Sequence, residues 1–158
     1  TQLHRAAEVI AGDLGTRVIF VSQGGYDTHA TQTDQHAALL SELSEALTAF
    51  QNDLEHLQVA EKVVTLVFSE FGRRVDENAS HGTDHGAASC SFLVGAQVQG
   101  GLIGESPSLK QLGDGDLIYN TDFRALYATL LDRWLLAPSA VLLGEKFEHL
   151  PLLAARLS

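Results

Sequence analysis

An α/β fold, a three-layer sandwich built on a mostly parallel sheet, is what three features of this sequence predict together. Two apolar runs of β-forming residues, Val18-Ile19-Phe20-Val21 and Val63-Val64-Thr65-Leu66-Val67-Phe68, have the length and composition of buried strands. A single long stretch of helical periodicity separates them, which makes a β-α-β unit, and such units are right-handed. Each run then opens into a loop carrying Gly, Asp and His, and in open α/β sheets chemistry collects where strands end.

The elements follow in order. Residues 3–14 carry Leu3, Ala6, Ala7, Ile10, Ala11 and Leu14 at helical spacing, with Gly15 as a stop. Residues 16–22 form the first predicted strand, broken by Gly24-Gly25. A long helix begins at Thr31 or Thr33 as cap, and Leu40, Leu43, Leu47, Phe50, Leu54 and Leu57 form one stripe that is expected to pack on a sheet face. Glu42, Glu45, Asp53 and Glu55 form its solvated side, and His36 and His56 are expected at the surface. Residues 63–68 form the second strand, parallel to the first and next to it or nearly so. Residues 73–88 show no periodicity, and long irregular loops in compact domains tend to be functional. Residues 89–94 are a third strand, with Cys90 expected to be buried on it. Residues 98–104 read as a glycine-broken turn or hairpin, and 105–121 as a loop containing the Gly113-Asp114-Gly115-Asp116 turn. That turn lacks the ligand series of a calcium loop. Asp122 opens a last long helix with Phe123, Leu126, Tyr127, Leu130, Leu131, Trp134 and Leu135 on one face, ended by Pro138. The tail, 139–157, is a short apolar helix or loop.

At 158 residues and 45% hydrophobic, the chain suffices for one domain spanning 1–158 with its own core. A formal net charge of −10 disfavours nucleic acid and anionic membrane as partners, because both reward clustered Lys and Arg. No apolar run approaches the roughly 20 residues that span a bilayer, so membrane insertion is not expected. One cysteine excludes an internal disulfide and a cysteine-based zinc site. The chain starts at Thr1 and contains no Met, and from this it is expected to be a piece of something longer.

The chemistry gathers in two loops. Asp27 and His29 stand two apart on the first, and Glu70, Asp84 and His85 lie on the second, after the predicted strand 63–68. Carboxylate oxygen and imidazole nitrogen are the ordinary ligands of Zn²⁺ and related divalent ions, so these five are candidate metal ligands that should converge on one cleft. Arg73 and Arg74 have two roles open to them: binding the oxygens of an anionic substrate, or neutralising the loop's own carboxylates. No Gly-x-Ser-x-Gly elbow marks a serine nucleophile.

Gly24-Gly25-Tyr26-Asp27-Thr28-His29, Phe68-Ser69-Glu70-Phe71-Gly72-Arg73, Gly82-Thr83-Asp84-His85-Gly86, Asp122-Phe123-Arg124-Ala125-Leu126-Tyr127-Ala128 and Trp134-Leu135 resemble, in order and spacing over nearly the whole chain, the bacterial family called domain of unknown function 1501. That family is grouped with the alkaline phosphatase and sulfatase superfamily. The resemblance implies an alkaline phosphatase-like sheet of which this chain is the carboxy-terminal part, and one or two divalent metals at its strand ends. It also implies export to the periplasm. Asp27 and His29 resemble the superfamily's Asp-and-His metal pair, with narrower spacing. Ser69-Glu70-Phe71-Gly72 resembles its Ser-Asp-His-Gly, with Glu70 in the place of the Asp and Phe71 where a ligand His would stand. His85, or Asp84 with His85, resembles the later His ligand.

The function expected is therefore a metal-dependent hydrolase acting on a phosphate or sulfate ester, with Zn²⁺ or another divalent ion as cofactor and an anionic small-molecule or carbohydrate ester as substrate. One rival is a metal- or carbohydrate-binding or structural envelope module of the same fold without turnover. The other is an acidic loop held by Glu70–Arg73 and Asp84–Arg74 pairs with no metal.

Overall fold

The computed structural model describes residues 2–154. Two helices come first, α1 (Gln2–Ala11) and α2 (Gln32–His56), and a short 3₁₀ turn at Ala60–Lys62 leads into the strands. Six short strands follow: β1 (Thr65–Val67), β2 (Gly72–Arg73), β3 (His85–Gly86), β4 (Phe92–Val94), β5 (Leu112–Gly113) and β6 (Asp116–Leu117). Helix α3 (Phe123–Thr129) runs through a wide π turn at Leu130–Trp134, and α4 (Ser139–Leu143) comes after Pro138. Among the described residues no helix is long and apolar enough to cross a membrane.

The main core lies between α1 and α2. Ala6 and Ala7 are small enough to let the helices approach, and Phe50 and Leu54 fill the space beside Val59, with Leu3, Ile10 and Val63 around them. Burial of Phe50 and of Leu54 contributes about 1.5–3 kcal/mol each. A smaller packed region joins α3 to α4 through Ala128, Thr129 and Ser139. There the Thr129 hydroxyl donates to the Ala125 carbonyl at 2.7 Å and accepts from the Leu150 amide at 2.9 Å. Asp122 caps α3 by accepting from the Arg124 amide at 2.8 Å.

No parallel sheet exists in the described residues, and this overturns the predicted three-layer α/β sandwich. The strands form three separate antiparallel pairs, β1 with β4, β2 with β3, and β5 with β6. The predicted second and third strands do pair, Thr65 opposite Val94 and Val67 opposite Phe92, but as an antiparallel ladder three residues long. The predicted first strand, 16–22, joins no ladder, and Val18 and Phe20 are 70% and 77% exposed. The physical reason is that a β-forming run specifies extended backbone and not a partner, and the partner decides sheet direction. The stripe on α2 consequently meets α1 rather than a sheet face, with Leu40 and Leu57 left exposed. Cys90, expected in the core on the third strand, is exposed and lies two residues before β4, outside the ladder. The 105–121 loop contains the β5–β6 hairpin, whose Asp114 and Gly115 both have positive φ, the geometry of a tight hairpin turn. The predicted tail extends to Leu157, and its last residues lie outside those described.

Candidate metal centre

Three segments build the cluster. In the first, the Thr28 amide donates to the Tyr26 carbonyl at 2.9 Å, closing a three-residue turn centred on Asp27. Asp27 and His29 are exposed and meet through their side chains, while Thr28 between them is buried and its hydroxyl accepts from Gln32. The second segment is β2, the third β3, and their register sets Arg73 opposite His85 and Gly72 opposite Gly86. Glycine is required for that approach: a Cβ on Gly72 would lie 1.7 Å from the Ala88 carbonyl oxygen.

The result is a convergence of donors on one oxygen. Asp27 Oδ1 lies 2.8 Å from His85 Nε2 and 2.9 Å from His29 Nε2, and one ligand atom from each residue falls within 4.8 Å of the others. The imidazole rings sit 4.8 Å apart, centroid to centroid. The His85 hydrogen bond, followed by that from His29, holds the Asp27 carboxyl below the usual carboxylate range. A tetrahedral ion at about 2.0–2.2 Å from each donor would place those donors roughly 3.3–3.6 Å apart, so the two contacts to Asp27 would widen by about 0.4–0.8 Å. Two imidazoles and a carboxylate also match the ligand set of catalytic zinc sites, which leave one coordination position open. Here the open side is solvent, since all three side chains are between 43% and 66% exposed.

Each imidazole is oriented by a different neighbour. His85 is stacked face to face on Phe71, with centroids 3.8 Å apart and planes 12° from parallel, and the Arg73 guanidinium lies over the same phenyl ring at 5.1 Å. His29 presents Nδ1 to Asp84 Oδ1 at 3.2 Å. That bond and one from Asn78 lower the Asp84 carboxyl.

Of the residues singled out in the sequence, Asp27, His29 and His85 therefore meet as a three-donor group, while Asp84 stands behind His29 and Glu70 is outside the group. Arg73 donates to the carbonyls of Tyr26 and Thr83, so its fork ties the first loop to the second. Arg74 donates to the Asp114 carbonyl at 3.2 Å. Among the described residues no ion pair joins Glu70 to Arg73 or Asp84 to Arg74. His36, expected at the surface, is half-buried with its ring edge-on to Tyr26 at 6.0 Å.

Two residues passed over in the sequence prove to organise the loops. Gln32 donates to Thr28 and accepts from the Thr83 hydroxyl at 2.8 Å. Asn78 accepts from the amides of Ser80 and Gly82 and donates to the His29 carbonyl and to Asp84. An asparagine bonding the amide two residues on is an ordinary loop signal, and Asn78-Ala79-Ser80 carried it.

A second polar group, Ser139, Asp132 and His149, borders a cavity of about 700 Å³ away from this cluster. Its order rules out the usual nucleophile logic. Asp132 lies between the other two, taking the Ser139 hydroxyl at 2.7 Å and His149 Nε2 at 2.7 Å, so no base faces the serine. Asp132 also accepts the Ser139 amide, and the role is to fasten α4 and the chain near His149 to the end of α3.

A family model described as Protein of unknown function (DUF1501) matches residues 8–150. Neither a curated protein nor a solved structure matched the chain.

Proposed function

The chain belongs to the DUF1501 family, and we propose that in it Asp27, His29 and His85 hold a divalent ion, Zn²⁺ or a related metal, in a metal-dependent hydrolase acting on phosphate or sulfate esters. The observation that carries the reading is the meeting of two imidazole Nε2 atoms on one Asp27 oxygen, at 2.8 and 2.9 Å. Two nitrogens and an oxygen so arranged need a proton between each pair or a cation among all three. A divalent ion satisfies them together, and open solvent on the remaining side leaves room for a substrate oxygen.

Bound there, the ion would polarise an ester oxygen and acidify a water. The chain's own residues supply the frame. Phe71 and Asp84 fix the two imidazoles, and Arg73 clamps the loops that carry them. Kinship with the alkaline phosphatase and sulfatase superfamily, implied by the motif resemblance, is what suggests the substrate class. The described residues do not form that superfamily's parallel sheet, and the likeness lies in the donor residues and their loops. In this proposal the chain is the carboxy-terminal portion of an exported protein, and the nucleophile comes from outside it.

A second reading is favoured by the hydroxyls near the cluster. Ser69 donates to the Phe71 carbonyl and Thr83 to Gln32, so both are spent on loop structure. A binding module that holds the ion without turnover fits that observation. Zinc titration by calorimetry, followed by p-nitrophenyl phosphate and p-nitrophenyl sulfate as substrates, carried out on the full-length protein that supplies the nucleophile, separates the readings. The hydrolase predicts one tightly bound ion and ester cleavage, both abolished in D27A. Binding without cleavage selects the module, and absence of binding refutes both.

A further inference from the structure

We infer that Asp84 acts from outside the coordination sphere, as the carboxylate that holds the His29 ring with Nδ1 protonated, and that Asn78 in turn holds Asp84. The inference rests on the metal reading of Asp27, His29 and His85 and gives that site its supporting frame. Its basis is the direction of the two ring nitrogens. His29 Nε2 faces Asp27 at 2.9 Å, while Nδ1, on the opposite edge, faces Asp84 at 3.2 Å. A neutral imidazole carries one N–H and one lone pair, so when a cation replaces the proton between Nε2 and Asp27, the acceptor at Nδ1 holds the N–H and leaves the Nε2 lone pair to the ion. Asp84 is not one of the three converging donors.

Asp84 is held on two sides. Its carbonyl accepts from the Arg74 amide at 3.0 Å, next to β2, and its Oδ1 accepts from Asn78 Nδ2 at 3.2 Å. Asn78 is saturated: Nδ2 also donates to the His29 carbonyl at 3.0 Å, and Oδ1 accepts from the amides of Ser80 and Gly82 at 2.9 and 3.1 Å. One side chain thus fixes both the backbone of His29 and the carboxylate behind its ring. Metal-bound histidines commonly donate their other N–H to such a carboxylate, and its loss weakens binding without removing a ligand.

The test uses Zn²⁺ with a competing chelator, together with ¹⁵N NMR of the His29 ring at about pH 8, above the ordinary imidazole pKa. D84L should bind zinc about 10–100-fold more weakly than the native chain, with D84N between the two because its amide oxygen still accepts from Nδ1–H, whereas D27A should lose binding altogether. In the metal-free protein Asp27 competes for the ring hydrogen, so the tautomer is read in D27A, where Nδ1 should carry the hydrogen; D27A/D84L should lose that preference while D27A/D84N keeps it. Loss in D84L as complete as in D27A would make Asp84 a ligand and overturn the inference. So would native affinity in D84L together with an unchanged tautomer in D27A/D84L. If D84L does not fold, the same comparison is made on D84N and N78A, each of which should weaken zinc binding, and native affinity in both would overturn the inference. If the native chain takes up no zinc, the metal reading falls on its own, and the tautomer comparison between D27A and D27A/D84L still decides whether Asp84 orients His29.

Discussion

Replacing Gly82 by Ala tests whether the two loops must touch. The backbone at Gly82 has no positive φ, so alanine meets no conformational penalty there and its effect is steric. Its Cβ would stand 2.5 Å from both the carbonyl carbon and the oxygen of His29, and 2.9 Å from the Ala30 nitrogen. All three are backbone atoms, and no side-chain rotation relieves them. Restoring an ordinary 3.4 Å contact means parting the loops by about 0.9 Å. The bonds across that seam have nothing to spare. Ser80 and His81 carbonyls accept the Thr31 and Gln32 amides at 3.0 Å each, and Asn78 reaches the His29 carbonyl at 3.0 Å. Stretched by that amount they pass about 3.9 Å, beyond hydrogen-bond reach. The expected cost is about 1–3 kcal/mol of stability, the range for overpacking a fitted site. Zinc affinity should fall as well, because His29 moves relative to Asp84 and His85. Urea denaturation and chelator competition measure the two effects. Gly100→Ala, with nothing within 4 Å of the added carbon, serves as control and should shift stability by less than about 0.5 kcal/mol. If G82A matched G100A in both assays, the loop contact would be irrelevant to the site.

Two further outcomes follow from the packing and the charges. Leu54→Ala, at a side chain 1% exposed between α1 and α2, should cost about 2–5 kcal/mol, while Glu45→Ala on the exposed face should change stability by less than about 0.5 kcal/mol; comparable losses in urea melts would refute the assigned core. Ser139, through its hydroxyl and then its amide, together with His149, holds the Asp132 carboxyl at about 2. The unfolded chain, with its ordinary Asp, binds the proton first as pH falls, so the stabilisation is complete above about pH 4 and is lost on the way down to about pH 2. Asp132→Asn should flatten that part of the stability-against-pH curve, and an unchanged acid slope in denaturant melts would show that the clasp does not couple to folding.

Local periodicity in the sequence was enough to place α2, expected from Thr31 or Thr33 to Leu57 and found at Gln32–His56, because a long amphipathic stripe needs no distant partner to define its register. It likewise marked Asp27, His29 and His85, since Gly-rich breaks after apolar runs with Asp and His in them are a local signal. What brings them together is not the predicted parallel sheet. The β2–β3 ladder carries His85 to Arg73, and the Arg73 fork and the Asn78 hub draw the first loop to the second. None of these contacts has a periodicity to read. Sheet direction belongs to the same class: the run at 63–68 was legible as extended backbone, but whether it lay beside 16–22 or opposite 92–94 depended on which unpaired amides found partners. Side-chain roles at the site were decided the same way. Asp84 and Asp27 are equivalent as residue types, and what separates them is that one faces Nδ1 of His29 and the other Nε2, a difference of ring edge that exists only once the loops have closed.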